Sequence, residues 1–239
     1  METQIKTSDN RSLTGIFAIL AAFSYWIIGA THFLMPKAQL HFATGITADF
    51  FKSLASESTA FQVHYWVFAI SSLLVMAVVL GIKNLLGTRQ SLWLRLTEVL
   101  ALIGLAVIAI DFIMIQNYSL RLAKEWPSLD VTAQAIISSI GLPHLDPEGL
   151  FGFGFLGLWL GTVNIVMFKA NLIPKWLAMF GLLGAFLNEL VFIGTVFHVA
   201  LLIDLAAGVG GMIAGPIWLI WLGIRLIRRS RLSGRSDGR

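Results

Sequence analysis

The chain has 239 residues, 57% of them hydrophobic and 13% charged, with a formal net charge of +4 and no cysteine. Together with a mean hydropathy of +0.81, this composition marks an integral membrane protein. The missing cysteines exclude disulfides, thiolate catalysis and thiolate metal sites, and the distribution of the positive charge argues for membrane orientation instead of a nucleic-acid partner.

Hydrophobic blocks near 13–34, 65–86, 94–116, 150–169, 173–193 and 197–227 are each long enough to cross a hydrocarbon core about 30 Å thick. They predict an all-α, polytopic transmembrane helical bundle of six spanning helices, occupying 1–239 as one membrane domain with no room for a separate soluble domain. The first block lacks a charged segment leading directly into it. Gly29-Ala30-Thr31 is followed by the bulky His32 and Phe33, not by a small-residue cleavage site, so a retained helix is expected. Residues 35–64 join the first two blocks, and 117–149 join the third and fourth. In the second connection, Trp126-Pro127-Ser128 breaks the pattern. Val131, Ala135, Ile136 and Ile140 then recur at helical spacing, predicting a short helix on the membrane surface or the top of the bundle, ended by Gly141, Pro143 and Pro147. Its acids Glu125, Asp130, Asp146 and Glu148 fit a solvated, non-cytoplasmic surface.

The fourth block carries Gly152, Gly154, Gly157 and Gly161, which suit close helix packing. Gly157 and Gly161 form a G-x-x-x-G match, compatible with a homo-oligomer or with two helices of one chain. The last block has thirty-one residues from Phe197 to Ile227, interrupted by Gly208, Gly210, Gly211, Gly215 and Pro216. Tilt, or a kink or broken turn near Gly215-Pro216, accommodates the surplus.

Orientation follows from the basic residues. With the N-terminus inside, Lys6, Arg11, Lys83, Arg89, Arg95, Lys169, Lys175, Arg225, Arg228, Arg229, Arg231, Arg235 and Arg239 lie on the cytoplasmic side; Lys37, Lys52, Arg121 and Lys124 lie outside. Thirteen of the seventeen basic residues are thus inside. This predicts a multi-pass protein of a bacterial cytoplasmic membrane with both termini cytoplasmic. Trp93, Trp176 and Trp66 fall at helix ends, as interfacial tryptophans do, while Trp159 lies too deep and reads as packing.

Acids inside the blocks are costly unless they face the bundle, a cavity or an interface. Asp111, Glu189 and Asp204 fall in the outer half, with Asn188 beside Glu189 and His32, His64 and His198 at the outer helix ends. Three readings compete: separately satisfied interfacial residues, an outward polar pocket for a small molecule or lipid headgroup to bind or pass through, and carboxylate–histidine chemistry at an acid–base or metal site. No H-E-x-x-H or comparable spacing occurs, so no metal or cofactor is assigned. Asp111, Glu189 and Asp204 are expected to face the interior, with His198 the histidine to join them. Near the inner side, Glu98 is expected to pair with Arg95, and Asn164 to make a cross-helix hydrogen bond, in a structural role. Binding or transport is the leading function; a structural or assembly protein and an intramembrane enzyme are the alternatives.

Asn10-Arg11-Ser12-Leu13-Thr14-Gly15-Ile16, the Gly/Leu-rich stretch 151–170, and Leu172-Ile173-Pro174-Lys175-Trp176-Leu177-Ala178-Met179-Phe180-Gly181 resemble a bacterial family of integral-membrane proteins defined only as a domain of unknown function. The resemblance spans about residues 10–225. It implies a membrane bundle in contact with lipid and carries no active residues across.

Overall fold

The computed structural model describes residues 2–40, 46–86 and 91–236, without the side chains of 2–9, 84 and 231–236. Of the basic residues used for orientation, Arg89 and Arg239 lie outside the described residues, as do the side chains of Lys6, Arg231 and Arg235. Helices are α1 (Glu2–Leu34), α2 (Ala48–Ser56), α3 (Thr59–Leu86), α4 (Leu92–Glu125), α5 (Val131–Ile140), α6 (Phe155–Lys169), α7 (Lys175–Val196), α8 (Ala200–Val209) and α9 (Gly215–Ser236). Six stretches are long and apolar enough to cross a membrane: Asn10–Leu34, Thr59–Lys83, Leu92–Ser128, Leu150–Lys169, Lys175–Val196 and Ala200–Ser230. The protein is an all-α, polytopic bundle, and no β-sheet occurs among the described residues.

Each span packs on its chain neighbour, and the last closes on the first: α9 lies against α1, α1 against α3, α3 against α4, α4 against α6, and α6 against α7. Lipid tails are as apolar as leucine, so contact between spans relies on close approach more than on expelling water. Accordingly, Ala18, Ala21 and Ala22 are fully buried on α1. Gly15 and Gly223 oppose each other so closely that a Cβ on either would lie 2.6 Å from the other's carbonyl oxygen. The Gly157–Gly161 pair serves an intrachain contact: Gly157 faces Ala185 and Glu189, and Gly161 faces Ala185, all on α7. Trp159 is buried in the main core.

The last span breaks where its glycines and proline predict. Between α8 and α9, Gly210–Ala214 forms a wide π turn in which the Gly215 N–H bonds to the Gly210 carbonyl. Pro216 follows without an N–H, so the carbonyl four residues back, on Met212, loses its ordinary helical donor. The indole N–H of Trp26 on α1 takes that carbonyl at 3.0 Å. In a bilayer a freed backbone carbonyl needs such a partner. A second π turn, Leu150–Gly154, leads into α6, and Gly104 leaves room for the Phe151 carbonyl to press against α4.

The connections over 35–58 and 126–149 are more structured than their hydropathy suggests. The third span does not stop near 116: α4 runs 34 residues, about 50 Å at about 1.5 Å per residue, well beyond the bilayer core. Its last turns bury Ser119 and Ala123. They contribute to a second core of Phe50, Phe51, Leu54, Phe61, Tyr65, Ile115, Trp126 and Leu142, with Phe51 stacked on Trp126 at 4.3 Å. Helix α2 forms because Thr47 accepts the Phe50 N–H, and its apolar residues fall on one face. The expected helix over 131–140 is present, started by Asp130 accepting the Ala133 N–H at 2.7 Å. Val131, Ile136 and Ile140 are exposed, and Ile137 is the residue that leans on this second core.

Candidate functional site

Asp111 sits inside α4 and is buried. Its Oδ1 accepts the Leu145 N–H at 3.0 Å, and its Oδ2 lies 3.2 Å from His144 Nδ1. Because a carboxylate oxygen accepts, Nδ1 carries the proton in that bond. Asp111 therefore pins the 141–149 connection onto the bundle. One step further along the chain, Asp146 Oδ2 accepts the Gly152 N–H at 2.7 Å and organises the π turn into α6. Sequence reading missed His144; the signal was its place in Pro143-His144, near the end of a connection that must return to the next span past an intramembrane acid.

His64 is buried near the N-terminal end of α3. Its Nδ1 lies 3.0 Å from Thr31 Oγ1 and 3.2 Å from the Ile28 carbonyl, so this nitrogen donates and Thr31 passes its own proton back to α1. His32 is exposed, its ring 6.0 Å from that of His64. This α1–α3 pair and the Asp111–His144 pair are separate constellations, each bonded within the protein.

The remaining acids behave differently. Asp204 is exposed on α8, not turned to the interior as expected. Helix α8 packs principally on α7, so most of its circumference is left outside the bundle. His198 does not join it. It is exposed, with φ of 55°, and occupies the left-handed cap position after α7: its N–H bonds to Thr195 O, and the Val199 N–H bonds to Gly194 O at 2.8 Å. That is a Schellman cap, a position glycine ordinarily fills. Asn188 is spent on its own helix, donating to the Gly184 carbonyl at 2.8 Å.

Glu189 is the exception. It is half-buried, and its Oε1 is shielded from solvent with no hydrogen-bond partner among the described residues. The carboxyl is tucked between α7 and α6, where a Cβ on Gly157 would lie 2.6 Å from Oε1. Only a glycine admits the carboxyl in that position.

Toward the other end of the bundle, Glu98 is buried and pairs with Lys83 Nζ at 3.1 Å, not with Arg95. Arg95, three residues earlier on α4, is exposed, whereas Lys83 reaches across from α3. Asn164 is fully buried and forms a cross-helix hydrogen bond: its Oδ1 accepts the Trp218 indole N–H at 2.9 Å, and its Nδ2 donates to Leu160 O. Gly181 on α7 makes the space, since a Cβ there would collide with the Asn164 amide. Among the described residues, no three His, Asp or Glu side chains come together as a group that could hold a metal ion.

Six apolar crossings, buried polar contacts between spans and a folded cap at one end of the bundle define a polytopic helical membrane protein. More particularly, the chain belongs to the family described as Domain of unknown function (DUF4386), whose profile matches residues 13–229. No curated protein and no solved structure matches the chain.

Proposed function

We propose that this protein is a bacterial cytoplasmic-membrane binding protein that takes an amine-bearing lipid or small amphiphile through the Glu189 carboxyl. The observation that carries the reading is the shielded, unpartnered Oε1 of Glu189 at the α6–α7 seam. A carboxyl inside the membrane needs a hydrogen-bond donor or a cation, and the other spanning acids sort differently: Asp111 and Glu98 have protein partners, and Asp204 is exposed. The thirteen-to-four distribution of basic residues supports cytoplasmic termini, and hence placement of Glu189 in the outer half.

The test compares retention of phosphatidylethanolamine with that of phosphatidylcholine, whose head is the trimethylated amine without donors. Native mass spectrometry of the purified full chain should show preferential retention of the former, weakened about tenfold in Glu189→Gln, as loss of one charge-assisted hydrogen bond predicts. Equal retention of the two lipids, or an unchanged preference in the variant, counts against the proposal. Transport is a second reading, favoured by the π turn that interrupts the sixth span, because transporters build binding sites at broken helices. Ligand uptake into proteoliposomes separates it from binding alone.

A further inference from the structure

We propose a second site: the groove between the start of α7 and the middle of α9 holds the phosphate-bearing headgroup of an anionic membrane phospholipid. The groove measures about 410 Å³ and is lined by residues of the first turn of α7 and the middle of α9. Its apolar lining includes Leu177 and the indoles of Trp176 and Trp221, which meet edge to face at 5.3 Å. Its basic lining is Arg225, Arg228 and Arg229. From Trp221, Arg225 is one helical turn further along α9, and Arg228 and Arg229 are two turns further, about 6 Å and 11 Å by helical rise. The wall thus changes from aromatic to cationic along the direction in which a lipid changes from glycerol to phosphate.

Arg225 is already oriented. Its Nε donates to the Leu172 carbonyl at 3.1 Å, which fixes the guanidinium plane while the terminal nitrogens point elsewhere in the fork. Arg229 lies within electrostatic reach of both Arg225 and Arg11, so like charges crowd one end of the bundle. Among the described residues, no carboxylate pairs with any of these arginines. Crowded guanidinium groups are stabilised by an anion, and a phosphodiester accepts their paired N–H groups in the right geometry. A lipid headgroup is the source favoured over free phosphate because the aromatic lining belongs to helices long and apolar enough to cross the bilayer. Basic pockets between spans recognise anionic headgroups by this combination.

The experiment uses the full chain in mixed micelles, with dioleoyl phosphatidylglycerol and dioleoyl phosphatidylcholine as probes of equal chain length, read by native mass spectrometry. The wild type should retain phosphatidylglycerol preferentially. Arg228→Gln with Arg229→Gln, which leaves the Arg225 brace in place, should weaken that retention roughly 30-fold, from about 1 kcal/mol for each basic residue, without changing the weak retention of phosphatidylcholine. Excess inorganic phosphate should not displace the lipid. Equal retention of the two lipids, or an unchanged affinity in the double variant, overturns the proposal. Displacement by inorganic phosphate that binds as tightly on its own overturns the lipid assignment. Should the double variant fail to fold, Arg228→Gln alone decides, its position being exposed: a roughly fivefold loss supports the site and no loss overturns it.

Discussion

Gly181→Ala should be among the most damaging single-methyl additions to this bundle. At Gly181 the added Cβ collides with the Asn164 amide, which is fully buried and anchored at both ends. Asn164 holds Trp218 of the last span at 2.9 Å and its own Leu160 carbonyl at 2.8 Å. The methyl must either separate α6 from α7 or rotate the amide and break both bonds. Overpacking alone costs about 1–3 kcal/mol. A lost interhelical hydrogen bond in a membrane adds about 0.6–1.7 kcal/mol, giving about 2–4 kcal/mol for Gly181→Ala. Asn164→Ala should cost about 1–3 kcal/mol by leaving the Trp218 N–H unsatisfied. Because Asn164→Ala also removes the atoms that the added methyl would strike, the double variant should be no less stable than Asn164→Ala by more than about 1 kcal/mol, far from the sum. Reversible unfolding in bicelles titrated with SDS, read by tryptophan fluorescence, gives the four corners of the cycle. Additive losses would show that the Asn164–Gly181 contact does not organise the junction of the fourth, fifth and sixth spans.

Three further perturbations address other joints. Lys83→Met leaves the buried Glu98 carboxylate unpaired; since the lysine is half exposed, the loss in the same assay should be about 1–3 kcal/mol, largely recovered by adding Glu98→Gln. Asp111→Asn should loosen the 141–149 connection, with faster amide hydrogen exchange across it while the spans themselves exchange as before; unchanged protection there would mean that Asp111 does not hold Leu145 and His144. His198→Gly should raise stability by about 0.5–1 kcal/mol, because a left-handed φ is strained for histidine and not for glycine; a loss would give the imidazole a role beyond the cap.

The six crossings were legible because their signal is collective: twenty apolar residues tolerate an isolated polar one and still cross. The break before Pro216 was legible for a local reason, the missing N–H, although the donor that rescues Met212 came from Trp26, nearly two hundred residues away in the chain. The C-terminal extension of α4 was not legible from hydropathy. Asn117, Tyr118, Arg121, Lys124 and Glu125 end an apolar window without ending a helix, and the contacts that stabilise those turns come from α2 and Trp126. The Glu98 partner was misassigned for the same reason. Arg95 is near in sequence, but its side chain leaves the buried face on which Glu98 lies, and the lysine that meets Glu98 sits on a different helix.

Residues at a common depth need not meet, and this decides how the intramembrane acids are weighed. Each spanning helix offers one face to the interior and another to lipid or a neighbour, so depth read from sequence fixes one coordinate of three. The remaining two come from which neighbours leave room. Asp111 is drawn to the returning 144–145 backbone, which supplies an N–H at 3.0 Å. Glu98 is drawn to a lysine whose stem is long enough to reach it from α3. Asp204 lies on the helix that packs mainly on α7 and stays outside the bundle. Glu189 alone is admitted to a seam, by a glycine, and left there with an oxygen that no described residue satisfies. An acid kept in that condition has a desolvation cost without a structural return, which is the physical ground for seeking its ligand at the α6–α7 seam and not among the histidines His32, His64 and His198 at the helix ends.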